Sequence, residues 1–560
     1  MIHPAEGVPA PARRVADQLV DVLITRGVRT FIGVPGGAIS PIYDALLERP
    51  EARIVYSAQE SNAAFAAAAF ALSGELACVL VTSGPGLTNA LTGIASAYAE
   101  GLPIVVLVGE VARSQHGRGA LQEGSAFGLD LLTMCRSVTR YAAMLTRPDN
   151  ACAMLVEALD AARGPVAGPV VLTLPLDVVN QPVHRPKLGR SLRAVRGEDD
   201  ALVEEARARL IAARRGAIVI GAGARGGAGA AAAFALAERL QWPVATTAKG
   251  KGLFPESHPL AVGVCGYGGH TSAARALGED VDVLLALGCG FSETGTNGWA
   301  PSLAPNASLV QLDLDLGRLG LNRAVEIGLV GALEELAPLL TDGLPQAPPQ
   351  VFGVERRETP TEDPPGLLHP ATALAALQAA LPKDTRYACD IGEHLLFTLH
   401  HLHIDASDGF YAALGLGSMG SGVGAGLGLK LATPGRPVVV ICGDWGFRMS
   451  GMDLTTCVQE RLGVVYVVLN DGVMNMVEAG FRRVYKRSLG APGPAVDFVR
   501  VAESCGAVGL RVNTVADLEA LTPALIHGDR PVVIDLRVDP AAAFAQSGRD
   551  QTLGTFTGRG

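Results

Sequence analysis

Short apolar, β-branched runs alternate along the chain with longer stretches in which Ala and Leu recur at helical spacing. TFIGV (30–34), RIVYSA (53–58), CVLVTS (78–83), PIVVLVG (103–109) and PVVLTLP (169–175) are the strand candidates of the first third. Alternation of this kind predicts parallel sheets wrapped by helices, an α/β fold. Near the C-terminus VVVIC (438–442) and VVYVVL (464–469) flank MDLTTCVQERL (452–462), whose helical spacing makes the segment a right-handed strand–helix–strand unit. The pattern breaks at the basic stretch 181–200 and at the Pro-rich stretch 343–370, which read as linkers. At roughly 100–200 residues per domain, 560 residues suggest about three domains, placed at 12–180, 196–342 and 368–545.

Composition narrows the partners. A net charge of −9 without a long Lys/Arg block argues against nucleic acid and anionic membranes. No apolar run approaches the ~20 residues of a membrane span, and the N-terminal stretch lacks a signal-peptide pattern. Nine cysteines without a CxxC pair indicate neither a disulfide framework nor a zinc site, so a cytoplasmic location is expected. The His-rich HHLH (400–403) has no clear metal-triad spacing and reads as a solvated helix end.

The chemistry is concentrated in GDWGFRMSGMDLTTCVQERLGVVYVVLND (443–471), where Asp444 follows one predicted strand and Asp471 the next. Two carboxylates at neighbouring strand ends suit a hard cation that shares its shell with phosphate oxygens. Two such aspartates also serve as a helix cap and as the start of a turn with Gly472.

This segment resembles the cofactor signature of thiamine diphosphate enzymes, Gly-Asp-Gly followed some 26 residues later by Asn or Asn-Asn. Trp445 replaces the small third residue, and Asp471 the commoner second Asn. The stretches 15–46, 58–111 and 415–432 are similar to acetolactate synthase and its relatives, and NDGVMNMV (470–477) to the catabolic members. The resemblance implies a pyrimidine-binding domain, a Rossmann-like central domain and a diphosphate-binding domain. It implies thiamine diphosphate with Mg²⁺, held through the side chains of Asp444 and Asp471 and the carbonyl of Val473.

By the same resemblance, Glu60 in AQESNAAF is the carboxyl group that shares a proton with the aminopyrimidine of the cofactor. Read in isolation, it is a first-turn glutamate stabilised by its helix. Gln59 stands where acetolactate synthases usually have His. Gly36 and Gly37 in VPGG, and Pro85 and Asn89 in SGPGLTN, would line the aminopyrimidine and substrate, or form turns and helix starts. Met419 corresponds to the residue that props the cofactor in its bent shape, beside Gly417 and Ser418. Ile391, Gly392, Glu393 and His394 occupy the diphosphate loop, next to Gly443 and Trp445. Gln122 keeps its place in Leu121-Gln122-Glu123, whereas a Lys near the substrate channel is replaced by Leu176. That loss leaves room for a larger or less acidic acceptor.

The Gly-rich AIVIGAGARGGAGAAAAFALAERL (217–240) opens the central domain and suits a nucleotide or tight packing alike. The segment whose arginine contacts FAD in acetolactate synthases corresponds to GCGFSETGTN (288–297), which has no arginine, so FAD is not expected. The resemblance implies a homodimer or homotetramer with Glu60 and Asp444 of each site on different chains. The expected activity is decarboxylation of a 2-oxo acid followed by ligation to a second carbonyl compound; the alternatives are decarboxylation alone and an inactive scaffold or regulator.

Overall fold

The structure, a computed structural model, describes residues 13–183, 200–360, 362–490 and 493–544. The expected domain ends at 12, 196 and 545, and most of the 181–200 linker, lie outside the described residues. Three six-stranded parallel sheets account for the fold. The chain divides into two compact units, one formed by residues up to 193 except 72–74, the other by those three residues and everything from 194.

In the first unit the sheet order is Arg53–Tyr56, Thr30–Gly33, Ala77–Val81, Val105–Glu110, Val170–Pro175, Tyr141–Met144. The third sheet, in the second unit, runs Phe410–Ala412, Arg386–Cys389, Val438–Gly443, Val464–Asn470, Val532–Arg537, Val508–Val512. Both follow the order 2-1-3-4-6-5. Their strand direction of winding reverses between strands one and three, which opens a ligand crevice at the carboxyl ends of those strands. Every residue of Val464–Asn470 is buried, as sheets covered by helices on both faces require.

The central sheet, from Gly216–Ile220 to Ile327–Val330, has the order 3-2-1-4-5-6 of the doubly wound nucleotide-binding fold. Its glycine-rich turn is packed backbone against backbone. A Cβ on Gly221 would lie 2.3 Å from the carbonyl oxygen of Gly288, and one on Gly223 2.7 Å from the Cα of the same residue.

Two sequence expectations change. The strand–helix–strand unit holds, but the helix begins at Asp444 itself and runs to Ser450, before a 3₁₀ turn and a second short helix, Leu454–Gln459. HHLH is not a solvated helix end: His400 is wholly buried and stacks on His270 of the central domain, ring centroids 4.5 Å apart. Backbone groups satisfy both rings. His400 Nε2 accepts the N–H of Arg357 at 2.8 Å, and His270 Nδ1 accepts that of Val264 at 2.9 Å. Among the described residues no helix is long and apolar enough to cross a membrane.

Candidate active site

In the first unit, Glu60 opens the helix Glu60–Phe70 and Asn89 lies in the second turn of Pro85–Glu100. Asn89 Nδ2 donates to Glu60 Oε2 at 3.1 Å, which joins two residues 29 positions apart. The helices come this close because Gly93 has no side chain: a Cβ there would meet Ala64 Cβ at 2.5 Å. Gly84, at a φ of 60°, turns the chain from strand to helix, and Pro85 occupies the first helical position. Gln122 also has a positive φ, 63°, and its carbonyl accepts the Ser83 hydroxyl at 2.6 Å, so its loop is tied to the start of the Asn89 helix. Gly36 makes room for Thr82, whose Cβ would be 2.6 Å from an added methyl, whereas Gly37 faces open space.

In the second unit a cavity of about 270 Å³ lies at the carboxyl ends of the third sheet. Ile391, Gly392, Glu393, His394, Gly417, Met419, Gly443, Asp444, Trp445, Asp471 and Val473 all line it. Ser418 is not among the lining residues; its hydroxyl turns to the carbonyl of Met419. Asn470, the other half of the Asn-Asp pair, is buried and donates to Asp535 Oδ1 at 2.8 Å.

The two aspartates also do the local work that such residues do in turns. Asp444 Oδ1 accepts the N–H of Trp445 at 2.9 Å, and Asp471 Oδ1 that of Val473 at 3.0 Å across Gly472, at a φ of 74°. Burial pushes Asp444 up to about 6. Burial, with the neighbouring charges of Asp444 and Glu393, pushes Asp471 up to about 7. Two carboxylates that oppose each other's ionisation in a buried cleft suit a divalent cation. Among the described residues no third Asp, Glu, His or Cys completes a metal cluster, so the remaining ligands of such a cation would be backbone and phosphate oxygens.

The loop 391–394 is more specialised than its sequence suggests. His394 Nε2 donates to the carbonyl of Asp390 at 3.1 Å, and burial lowers its pKa to about 4, so the ring is neutral with Nδ1 as acceptor. Glu393 Oε1 accepts the N–H of Phe544 at 2.6 Å and anchors the C-terminal segment to the cavity wall. Asp390 went unnoticed in the sequence, although it too ends a strand. Its two oxygens accept the N–H groups of Gly420 and Gly422 at 2.9 and 3.0 Å, which holds the turn beside Met419. Gly446 leaves space for it; a Cβ there would lie 2.0 Å from Asp390 Oδ2. Trp445 does not block the cleft. Its ring lies under Arg448, whose guanidinium carbon is 4.2 Å from the ring centroid.

Comparison with known proteins identifies the family. The sequence matches the N-terminal TPP binding domain of thiamine pyrophosphate enzymes over residues 13–129, their central domain over 203–340 and their C-terminal TPP binding domain over 390–536. It is 31% identical to the probable acetolactate synthase large subunit of Methanocaldococcus jannaschii, covering 94% of this chain and 92% of that one. It is also 31% identical to the acetolactate synthase isozyme 3 large subunit of Escherichia coli, covering 94% of each. Among solved structures, the thiamine diphosphate-dependent 4-hydroxybenzoylformate decarboxylase of Rhodococcus jostii superposes with a TM-score of 0.84 at 22% identity, over 95% of this chain and 100% of that one. Three domains in the family's order and near full-length relatives lead to one conclusion: the chain belongs to the thiamine pyrophosphate enzyme family.

Proposed function

We propose that this protein is a 2-oxo-acid decarboxylating carboligase similar to acetolactate synthase, using thiamine diphosphate and Mg²⁺. The observation that carries the reading is the convergence of Asp444, Asp471 and Met419 on one cavity, in a chain whose curated relatives are acetolactate synthase large subunits. When bound, thiamine diphosphate supplies a carbon nucleophile for the 2-oxo acid and an electron sink as CO₂ leaves. Asp444, Asp471 and the carbonyl of Val473 would hold the cation, and Met419 would support the cofactor. Glu60 handles the proton: Asn89 occupies Oε2, which leaves Oε1 to share a proton with the pyrimidine ring. Gly37 gives the ring room to approach the backbone, and Gln122 lies at the substrate end. Decarboxylation and ligation are redox neutral, so no flavin is assigned to the central sheet.

Each site is completed by a second copy of the chain in a dimer or tetramer. Apolar side chains left in the open beside the predicted site residues support this: Leu121 is 88% and Phe127 78% exposed near Gln122, and Met449 57% and Met452 60% exposed on the segment after Asp444. The test is to incubate the Mg²⁺- and thiamine diphosphate-loaded protein with paired 2-oxo acids and aldehydes and to identify products by mass spectrometry. Acyloin or acetolactate-type products are expected; aldehyde alone would assign a simple decarboxylase, and no CO₂ from any 2-oxo acid would leave an inactive scaffold.

A further inference from the structure

Glu110 is a buried carboxyl group that the proposed chemistry does not use. It ends the strand Val105–Glu110, every residue of which is buried, and is itself shut off from solvent. Oε1 accepts the N–H groups of Val111 at 2.9 Å and Gly124 at 3.1 Å, which ties the strand end to the loop that carries Gln122. Oε2 is buried and has no hydrogen-bond partner among the described residues. Gly124 leaves it space, since a Cβ there would lie 2.6 Å away. The hydroxyl that reaches the carboxyl group is that of Ser83, and it is already committed: it donates to the carbonyl of Gln122 at 2.6 Å. That bond holds a residue whose φ of 63° lies in the left-handed region. His116, in the loop that follows the strand, is the titratable group whose charge acts on Glu110. Glu123 turns instead to the N–H of Gly117 and the hydroxyl of Ser125, both at 2.6 Å, and the apolar Leu131 packs at Gly124. A charge on a buried oxygen without a donor is costly, so burial keeps Glu110 a neutral acid to a higher pH than an ordinary carboxyl group.

We propose that Glu110 is a positioning residue for Gln122: while neutral it leaves the Ser83 hydroxyl on the Gln122 carbonyl, and on ionisation it draws that hydroxyl to Oε2 and frees the loop. This rests on the reading of Gln122 as a residue at the substrate end of the site. A serine has one O–H to donate, so the two acceptors compete for it. On loss of the carboxyl proton to solvent the charged oxygen prevails, because a hydrogen bond to an ionised group is roughly twice as strong as one between neutral groups. The 2-oxo acid is therefore held best while Glu110 is neutral, and less well as pH rises through its ionisation.

Two variants test the competition. Glu110→Gln cannot ionise and keeps an acceptor for the N–H groups of Val111 and Gly124, whereas Ser83→Ala lacks the contested hydroxyl. Both are assayed beside the wild type, loaded with Mg²⁺ and thiamine diphosphate, for kcat and KM with the 2-oxo acid selected by the product screen, from about pH 6 to about pH 9; thermal melting reports folding. In the wild type KM should rise with pH by about three- to tenfold, the contribution of one hydrogen bond, while kcat changes little. The rise should be absent in Glu110→Gln, and Ser83→Ala should show the raised KM throughout. Infrared difference spectra of the same proteins without substrate follow the ionisation itself. The carbonyl band of a buried protonated acid should fade with pH in the wild type, and Glu110→Gln should lack it. A flat wild-type KM, a rise that Glu110→Gln shares in full, or an acid band that this substitution leaves in place would overturn the proposal. An unchanged KM in Gln122→Ala would instead remove the substrate-end reading beneath it, and the proposal with it.

Discussion

At the scale of single residues, the proposed function assigns different tasks to carboxylates in different surroundings. Glu60 is half-buried at a helix start with one oxygen held by Asn89, a suitable arrangement for passing a proton. Glu60→Gln is expected to bind the cofactor and to lose a factor of about 10² to 10⁴ in turnover, as the loss of a general acid/base does; near-normal kcat would take Glu60 out of the mechanism. In the proposed function Asp444 and Asp471 instead hold a cation. Asp444→Ala should abolish Mg²⁺-dependent binding of thiamine diphosphate, measured by calorimetry, because one carboxylate remains against the diphosphate. Asp471→Asn should be much milder, since it retains an oxygen ligand and the acceptor for the N–H of Val473. Equal loss in both variants would make Asp471 a turn residue first.

At the scale of elements, glycines set the distances that the chemistry uses. Gly93 brings the Glu60 and Asn89 helices together, where an added methyl would meet Ala64 at 2.5 Å and the carbonyl oxygen of Ser61 at 2.6 Å. Gly93→Ala should cost about 1–3 kcal/mol in unfolding free energy, as overpacked cores do. It should also lower turnover, because Asn89 sits one turn before the displaced contact and its bond to Glu60 must lengthen. Denaturant midpoints and kcat measured together check both; an unchanged kcat in a destabilised variant would separate the helix spacing from the catalytic pair. Helix and strand identities were legible in the sequence because burial on both sheet faces leaves an unmistakable apolar run. The helix start at Asp444 was not, since GDWGFRMS has no clear apolar period and its placement depends on docking against the 420–422 turn through Asp390 and Gly446.

At the scale of the whole molecule, the stacked His270–His400 pair joins the central and third sheets and makes that junction sensitive to acid. Burial lowers His270 to about 2 and His400 to about 4; the charges of Lys251, Arg356 and Arg357 and the other ring of the pair act in the same direction. The folded chain thus refuses protons that the unfolded chain accepts at about 6.5. Stability from His400 is complete above that pH and is lost as pH falls from about 6.5 towards 4. The stability advantage of the wild type over His400→Gln should therefore shrink by on the order of 2–3 kcal/mol across that window, read from urea unfolding at pH 8, 6 and 4.5. A constant difference would mean that His400 takes up its proton as readily in the fold as in the unfolded chain. Subunit mixing tests the assembly: co-expressed Glu60→Gln and Asp444→Ala chains should regain part of the lost activity if each site draws on two chains. Complete failure in verified mixed oligomers would assign both residues to one chain.

What could be read along the chain was whatever chain-local chemistry encodes. Alternating apolar runs predict parallel sheets, and residues that leave the ends of such strands, Asp444 and Asp471, reach the ligand edge whatever surrounds them, because strand direction alone puts them there. The bond from Asn89 to Glu60, the inward turn of Asn470 to Asp535, the commitment of Glu393 to the C-terminal segment and the burial of His400 against His270 were not encoded that way. Each joins groups distant in sequence, and which of several equally polar side chains meets a partner is decided by how the helices and sheets pack.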